Sequence, residues 1–413
     1  MRVALVHDYL NQMGGAELVL LALHDLFPQA PIYTSIYEPS RVDRRFRSMD
    51  IRTSFMQRLP LVKRHHQPFL PLYPFAFESL DLRAYDLVIS DSSAFAKGIV
   101  TRPDALHVCY CHTPMRWAWN YGDYVEREHL GRLARTALPP FITWLRGWDY
   151  ATAARVDYFV ANSPTVAGRI AKYYRREALV MPPPVDTSRF YIAPQRDDYF
   201  LIVSRLIPYK RIDLAVQAFT MLGLPLHVVG GGRDEKRLRA MAGPTVKFLG
   251  ALSDDEKRNQ MARCRAFIFP GEEDFGITPV EAQASGRPVI AYGAGGALAS
   301  VVEGSTGLFF FQQTPEALAE VVSTFHDEYF DPQAIRRHAE EFDTQRFSRR
   351  FTQFLETKIA AHPALARLAG LTYQGPDPYP TIPTGDRSQT LPMNPANPPN
   401  AINPSGNLFE QGW

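Results

Sequence analysis

The sequence predicts an α/β protein made of two Rossmann-like domains, a closing helix and an unstructured tail, and three observations carry that expectation. Short apolar runs alternate with stretches of helical periodicity, the signature of parallel strands buried between helices. The alternation is run through twice. Met181-Pro-Pro-Pro-Val-Asp stands between the two passes, where consecutive prolines forbid a helix and stiffen the chain into an extended crossing. At 413 residues the chain is also too long for one ordinary core. The expected divisions are 1–182, 183–345, a helix within 346–370 and a tail over 371–413.

Composition removes several function classes. Residues are 46% hydrophobic and 21% charged with a formal net charge of +2, whereas a general nucleic-acid binder would carry a strong basic excess, so no nucleic-acid partner is expected. Three cysteines, Cys109, Cys111 and Cys264, cannot make a disulfide framework, and the chain opens on a strand-like run instead of a leader. The expected compartment is therefore the cytoplasm. No apolar stretch reaches the ~20 residues a spanning helix needs, which leaves peripheral contact with the inner face of the cell membrane as the only membrane role.

In the first half, Val3-Ala-Leu-Val6, a loop with Gly14 and Gly15, and an apolar-periodic run to Leu26 read as strand, glycine loop and helix. A glycine pair lets backbone amides approach a phosphate at a helix N-terminus, although an ordinary tight turn has the same appearance. Residues 41–66 carry eight Lys or Arg against two acids and are studded with Phe46, Met49, Phe55 and Met56. Residues 129–148 lack acids and hold Arg132, Arg135 and Arg146 beside Phe141, Trp144 and Trp148. Such segments fit an anionic bilayer surface and a solvated face over a core equally well. Runs at 85–90, 106–111 and 156–161 read as strands whose ends supply Asp91-Ser-Ser, His112-Thr-Pro and Asn162-Ser-Pro to the ligand edge of a sheet. Cys109, Cys111 and His112 do not make a metal site, because a fourth ligand is missing and strand alternation sends neighbours to opposite faces.

The second half opens on the strand Tyr199–Ser204, followed by Arg205 and Lys210 where a strand end becomes a helix start. Two cations there can converge on phosphates, or form an exposed basic loop. Leu226-His-Val-Val with Gly230, Gly231 and Gly232 is a strand and glycine turn, and Val246–Gly250 another strand. Cys264–Phe269 reads as a buried strand leading into Pro270-Gly-Glu-Glu-Asp-Phe275-Gly-Ile-Thr-Pro-Val-Glu281. Thr278, Pro279 and Glu281 fit the N-cap, first-turn proline and capping-box acid of a helix to about Ser285, so the amides of Gly276, Ile277 and Thr278 should face a crevice and favour an anion. Glycine-rich turns follow at 293–298 and 304–309, then helices near 315–325, 332–341 and 347–360. From Pro376 onward, proline, asparagine and threonine without apolar periodicity indicate disorder.

Glu273 and Glu281 in that setting closely resemble the Glu-x7-Glu signature of retaining nucleotide-sugar glycosyltransferases, glycosyltransferase family 4 (group 1), with the GT-B fold, and the wording is similar to bacterial mannosyltransferases. The resemblance covers about residues 1–360. It implies two domains facing across a cleft and a last helix crossing back onto the first. It implies a donor diphosphate held by Gly14, Gly15, Arg205 and Lys210, and a transferred sugar bordered by His112 and positioned by Glu273. Glu281 would read the ribose, with Gly231, Phe275, Gly276, Ile277 and Thr278 completing the donor site. The implied reaction moves a hexosyl group, mannosyl from GDP-mannose first and UDP-sugars second, to a saccharide or lipid-linked saccharide acceptor with retention of configuration. The chain contains no Asp-x-Asp triplet, and cations stand where a metal would; no metal or cofactor is expected. Two other readings stay open: a sugar-nucleotide epimerase of the same double-Rossmann architecture, and a non-catalytic nucleotide-sugar-binding subunit. A dehydrogenase is disfavoured because the first glycine loop lacks Gly-x-Gly-x-x-Gly spacing.

Overall fold

The computed structural model describes residues 1–63, 65–120 and 132–366, with the side chains of residues 117 and 132–137 outside that description. The expected tail over 371–413, the start of the acid-free stretch at His129 and the side chains of Arg132 and Arg135 therefore lie outside the described residues.

Two parallel sheets organise the chain. The first contains β1 (Val3–His7), β2 (Ile32–Thr34), β3 (Ile51–Thr53), β4 (Leu87–Ser92), β5 (Leu106–Cys111), β6 (Tyr158–Ala161) and β7 (Ala178–Val180), in the order β3-β2-β1-β4-β5-β6-β7. The second contains β8 (Phe200–Val203), β9 (Leu226–Val229), β10 (Val246–Gly250), β11 (Phe267–Phe269), β12 (Val289–Tyr292) and β13 (Gly307–Phe310), in the order β10-β9-β8-β11-β12-β13. The central strand β4 is buried along its whole length, apolar over Leu87-Val-Ile and polar over Ser90-Asp-Ser toward its carboxyl end. In each sheet the order reverses beside the first strand, between β1 and β4 and again between β8 and β11. A doubly wound sheet opens a ligand crevice at such a reversal, outside the carboxyl ends of the strands.

The join between the sheets is tied at two levels. The outgoing crossing and the return run side by side, with Val185 N donating to Phe342 O at 2.9 Å and Thr344 N to Val185 O at 3.1 Å. Asp343 caps the helix Thr344–Ala361 by accepting from Gln345 N at 2.8 Å, and its other oxygen takes the Thr187 hydroxyl at 2.6 Å. That helix then carries Phe347, Phe351, Leu355 and Ile359, four apart along one stripe, into the same core as Val19, Leu20 and Leu23 of helix Gly15–Leu26. The last helix thus rests on the first sheet's domain.

The basic stretch 41–66 divides between inside and outside. Phe46 and Met56 are fully buried and Met49 is partly buried, so these side chains serve the core, whereas Phe55, Leu61 and the nearby Phe75 are exposed. Among the described residues no helix is long and apolar enough to cross a membrane.

One local expectation is corrected. The helix after the acidic loop runs Ile277–Ala284 with Gly276 as its N-cap, and no side chain caps it. Thr278 lies inside the helix, and Glu281, a full turn in, completes no capping box. The reason is Gly276, whose φ of +87° turns the chain into the helix early, over the Phe269 ring; a Cβ there would sit 2.6 Å from Phe269 Cζ.

Candidate active site

At the first sheet's reversal, register places His7 of β1 beside Asp91 of β4. His7 Nδ1 bonds Asp91 Oδ2 at 2.8 Å, and His112, just beyond β5, brings Nε2 within 2.5 Å of Asp91 Oδ1. On its far side His7 Nε2 lies 3.6 Å from Glu17 Oε1, on the helix that follows the glycine loop. Burial opposes a charge on His7, but the two carboxylates outweigh it and push its pKa up to about 10. Asp91 is wholly buried, which alone would raise its pKa, yet the two histidines hold it below the usual carboxylate range. Next in the chain, Asp8 accepts the backbone amides of Ser93, Ala94, Phe95 and Ala96 at 2.6–3.0 Å and so fixes the loop leaving β4.

The opposite wall comes from the second sheet. Arg205 follows β8 in a loop held by backbone packing: a Cβ on Gly230 would stand 2.0 Å from Ser204 O, and one on Gly232 2.2 Å from Leu206 O. Only glycine allows that approach, and Leu206 N completes it by donating to Gly231 O at 3.0 Å. Lys210 is ion-paired to Glu273. The other two acids of the loop reach the first domain, where Asp274 pairs with Arg116 at 2.7 Å and with Arg169, and Glu272 lies 3.5 Å from Arg169. Ser163 adds a hydroxyl donated to the Asp274 carbonyl. Tyr209 lies under Arg116, 5.6 Å from the guanidinium to the ring centre. Each loop acid therefore faces a cation, and among the described residues no group of three or more His, Cys, Asp or Glu is placed to hold a metal.

Between the walls lies a cleft of about 470 Å³ lined by Gly14, Gly15, His112, Arg116, Arg169 and Arg205, together with Tyr9 and Tyr209. Gly15, in this cleft, comes close to Ile277 of the second domain, where a Cβ on Gly15 would be 2.9 Å from Ile277 Cδ1, and Ile277 lines a second cavity. The second cavity, about 300 Å³, is lined by Ile277 and Glu281 with Arg189, Lys257 and Arg258. Glu281 is buried, which raises its pKa, and its carboxylate has no hydrogen bond or ion pair to the described residues. Of the residues expected from sequence, Gly14, Gly15, His112 and Arg205 share the first cavity, Ile277 and Glu281 share the second, and Lys210 and Glu273 meet one another. Gly231, Phe275, Gly276 and Thr278 line neither cavity; Phe275 is buried against Phe342, ring centres 5.7 Å apart. Sequence reasoning did not find Arg116, Arg169, His7 or Glu17. The last two stand at a strand end and one turn into the next helix, a signal of position that charge patterning does not carry.

Two parallel sheets turning their carboxyl edges toward one cleft, with a helix returning from the second domain to the first, define a protein of the GT-B class. Residues 13–189 match the family described as Glycosyltransferase Family 4 and residues 186–342 the one described as Glycosyl transferases group 1. Together the two matches span residues 13–342, and the chain belongs to the glycosyltransferases they describe. It is similar to the O-antigen chain mannosyltransferase C of Escherichia coli, 28% identical over 46% of this chain and 51% of that one. It is also similar to a GDP-mannose-dependent alpha-mannosyltransferase of Mycobacterium tuberculosis, 31% identical over 50% of this chain and 51% of that one. The chain spans about half the length of these curated relatives. Among solved structures, Anabaena HepE in complex with UDP shares the fold, with a TM-score of 0.65 and 18% identity over 86% of this chain and all of that one.

Proposed function

We propose that the protein is a retaining glycosyltransferase that moves a hexosyl group, mannosyl from GDP-mannose, to a saccharide or lipid-linked saccharide acceptor during surface polysaccharide biosynthesis. The observation that supports the reading is that Arg205 and the Gly14-Gly15 loop line one cleft between the two sheets, while Lys210 is paired to Glu273, whose chain neighbours Glu272 and Asp274 line that cleft. Breaking the bond from the sugar to the diphosphate builds negative charge on the leaving group, so groups that bind it better as the charge grows lower the barrier. Arg205 and Lys210 are those groups, with the amides at the start of helix Gly15–Leu26. In this reading the arriving diphosphate takes Lys210 from Glu273, and the released carboxylate faces the anomeric carbon as it gains positive charge. The acceptor hydroxyl then bonds to that carbon on the face the leaving group vacates, and passes its proton to the departing phosphate oxygen. Glu281, buried and unpaired beside the second cavity, has the chemistry to accept ribose hydroxyls.

The choice of mannose rests on the names of the Escherichia coli and Mycobacterium tuberculosis relatives. For the acceptor, exposed Phe55 and Leu61 on the basic segment, with exposed Phe75 shortly after it, favour a lipid-linked saccharide at an anionic bilayer on the cytoplasmic face. The test is a panel of nucleotide sugars read first by thermal shift and then by turnover, with product stereochemistry by NMR. GDP-mannose should raise Tm and give an α-linked product. Epimerised donor in the absence of acceptor would instead establish the epimerase reading. Flotation with anionic vesicles at low salt should carry the protein upward, and no flotation would remove the membrane contact.

A further inference from the structure

We propose that Glu17, His7 and Asp91 form a buried positioning relay that fixes the ring of His112, committing Nε2 to Asp91 and leaving Nδ1 for a hydroxyl of the transferred sugar. This rests on the reading above, in which His112 borders that sugar. Each oxygen of Asp91 serves one imidazole, His7 Nδ1 at 2.8 Å and His112 Nε2 at 2.5 Å, and Glu17 holds the other side of His7 at 3.6 Å. Glu17, His7 and Asp91 are 2%, 2% and 0% exposed, so the set is nearly closed to water even where His7 and Glu17 border the cleft, whereas the His112 side chain is 13% exposed there with no protein partner on Nδ1 among the described residues.

A simpler role for Asp91 would be to staple strands together, but β1, β4 and β5 are already joined by backbone pairing along their full length. Burying several ionisable groups at the carboxyl ends of the central strands costs stability unless each is matched. Here they are matched in series, and the series ends on the member most open to the cleft, His112, whose side chain is 13% exposed against 3% for His7 and for Glu17. The order has a chemical consequence. His7, pinned between two carboxylates, keeps both ring protons and donates one to Asp91, which must then accept from His112 through its other oxygen. His112 Nε2 carries the proton, and Nδ1 is the nitrogen that accepts from a hydroxyl. Glu17 sits in the first turn of the helix whose N-terminal loop holds Gly14 and Gly15, so the relay also couples the ring's orientation to the proposed diphosphate loop.

The test is a double-mutant cycle with Asp91→Asn and His112→Ala, measured as kcat and KM with GDP-mannose. An Asn at 91 keeps the size but offers an amide in place of one carboxylate oxygen, so the ring can turn over or tilt. The expected result is a loss of up to ~100-fold in kcat with little change in donor KM, the effect of misplacing a group at the reacting centre. Added to His112→Ala, Asp91→Asn should then cost nothing further. Equal losses with and without His112 would overturn the relay, as would an Asp91→Asn enzyme with wild-type kcat. A His112→Ala enzyme with wild-type kcat would remove the reading beneath it, which is a separate outcome. Because Asp91→Asn could fail to fold, His112 in the intact protein is also examined by ¹⁵N NMR of labelled histidine. The proton is expected on Nε2, and a ring protonated on Nδ1 alone overturns the proposal.

Discussion

Replacing Lys210 by Ala removes a charge that the structure places at the acidic loop, paired to Glu273 and 13% exposed. Its backbone is held from below by Gly271, where a Cβ would be 2.8 Å from Lys210 O, so the side chain is the only part that changes. A unit charge about 4 Å from a phosphate oxygen interacts by about 4 kcal/mol at an effective dielectric of ~20. Much of that attraction already acts on bound donor. The part that counts for rate is the increase as the sugar–phosphate bond breaks, and removal of a comparable preorganised donor costs about 3 kcal/mol, or ~10²- to 10³-fold in kcat. The assay is the initial rate of GDP release at saturating GDP-mannose and acceptor, with folding checked by thermal unfolding. Combining Lys210→Ala with Glu273→Gln controls for the carboxylate left without its partner. Lys210→Arg should recover part of the rate, since the charge survives but its shape does not. A folded Lys210→Ala enzyme with wild-type kcat, or one changed only in KM, would refute the reasoning.

Further expectations concern folding and closure. Ala at Gly276 must adopt a φ of +87° and meet the Phe269 ring, so Gly276→Ala should cost about 1–3 kcal/mol in chemical denaturation; an unchanged midpoint would show that the turn relaxes freely. Phe351→Ala empties a fully buried site between the last helix and the first, with an expected loss of about 3–5 kcal/mol in the same assay. His7 titrates near 10 when folded and near 6.5 when unfolded, so its contribution to stability is complete below pH 6.5 and falls away as pH rises toward 10. His7→Gln should flatten that part of the stability–pH curve, and a variant with the wild-type slope would contradict the assignment. Arg169→Ala leaves Glu272 unpaired and weakens the clasp on Asp274, so donor KM should rise several-fold and small-angle scattering should report a wider separation of the domains.

Local strand–loop–helix order in this protein was readable from the sequence, and pairing between distant residues was not. Arg205, Lys210, Glu273 and Glu281 announce themselves because each sits in a short strand–loop–helix word, and the word survives folding intact. Thr278 misled because its neighbours spell an N-cap, while the helix start is decided by a glycine turning over Phe269, a packing contact that sequence periodicity does not express. The pairing of Asp274 with Arg169 spans 105 positions and that of His7 with Asp91 spans 84, and both depend on strand order, which alternation of apolar runs leaves open. The aromatic residues of the basic stretch show the same limit. Phe46 and Phe55 look alike in sequence, yet one is wholly buried and the other is exposed.

The central claim is that one activated sugar is clasped between the two sheets with its diphosphate on the second domain's cations. A structure determined with GDP-mannose tests it most directly. The diphosphate should lie within hydrogen-bond distance of Arg205 and Lys210, with the Lys210–Glu273 pair opened and the anomeric carbon toward Glu273. A diphosphate seated away from both cations, with that pair intact, would contradict the account.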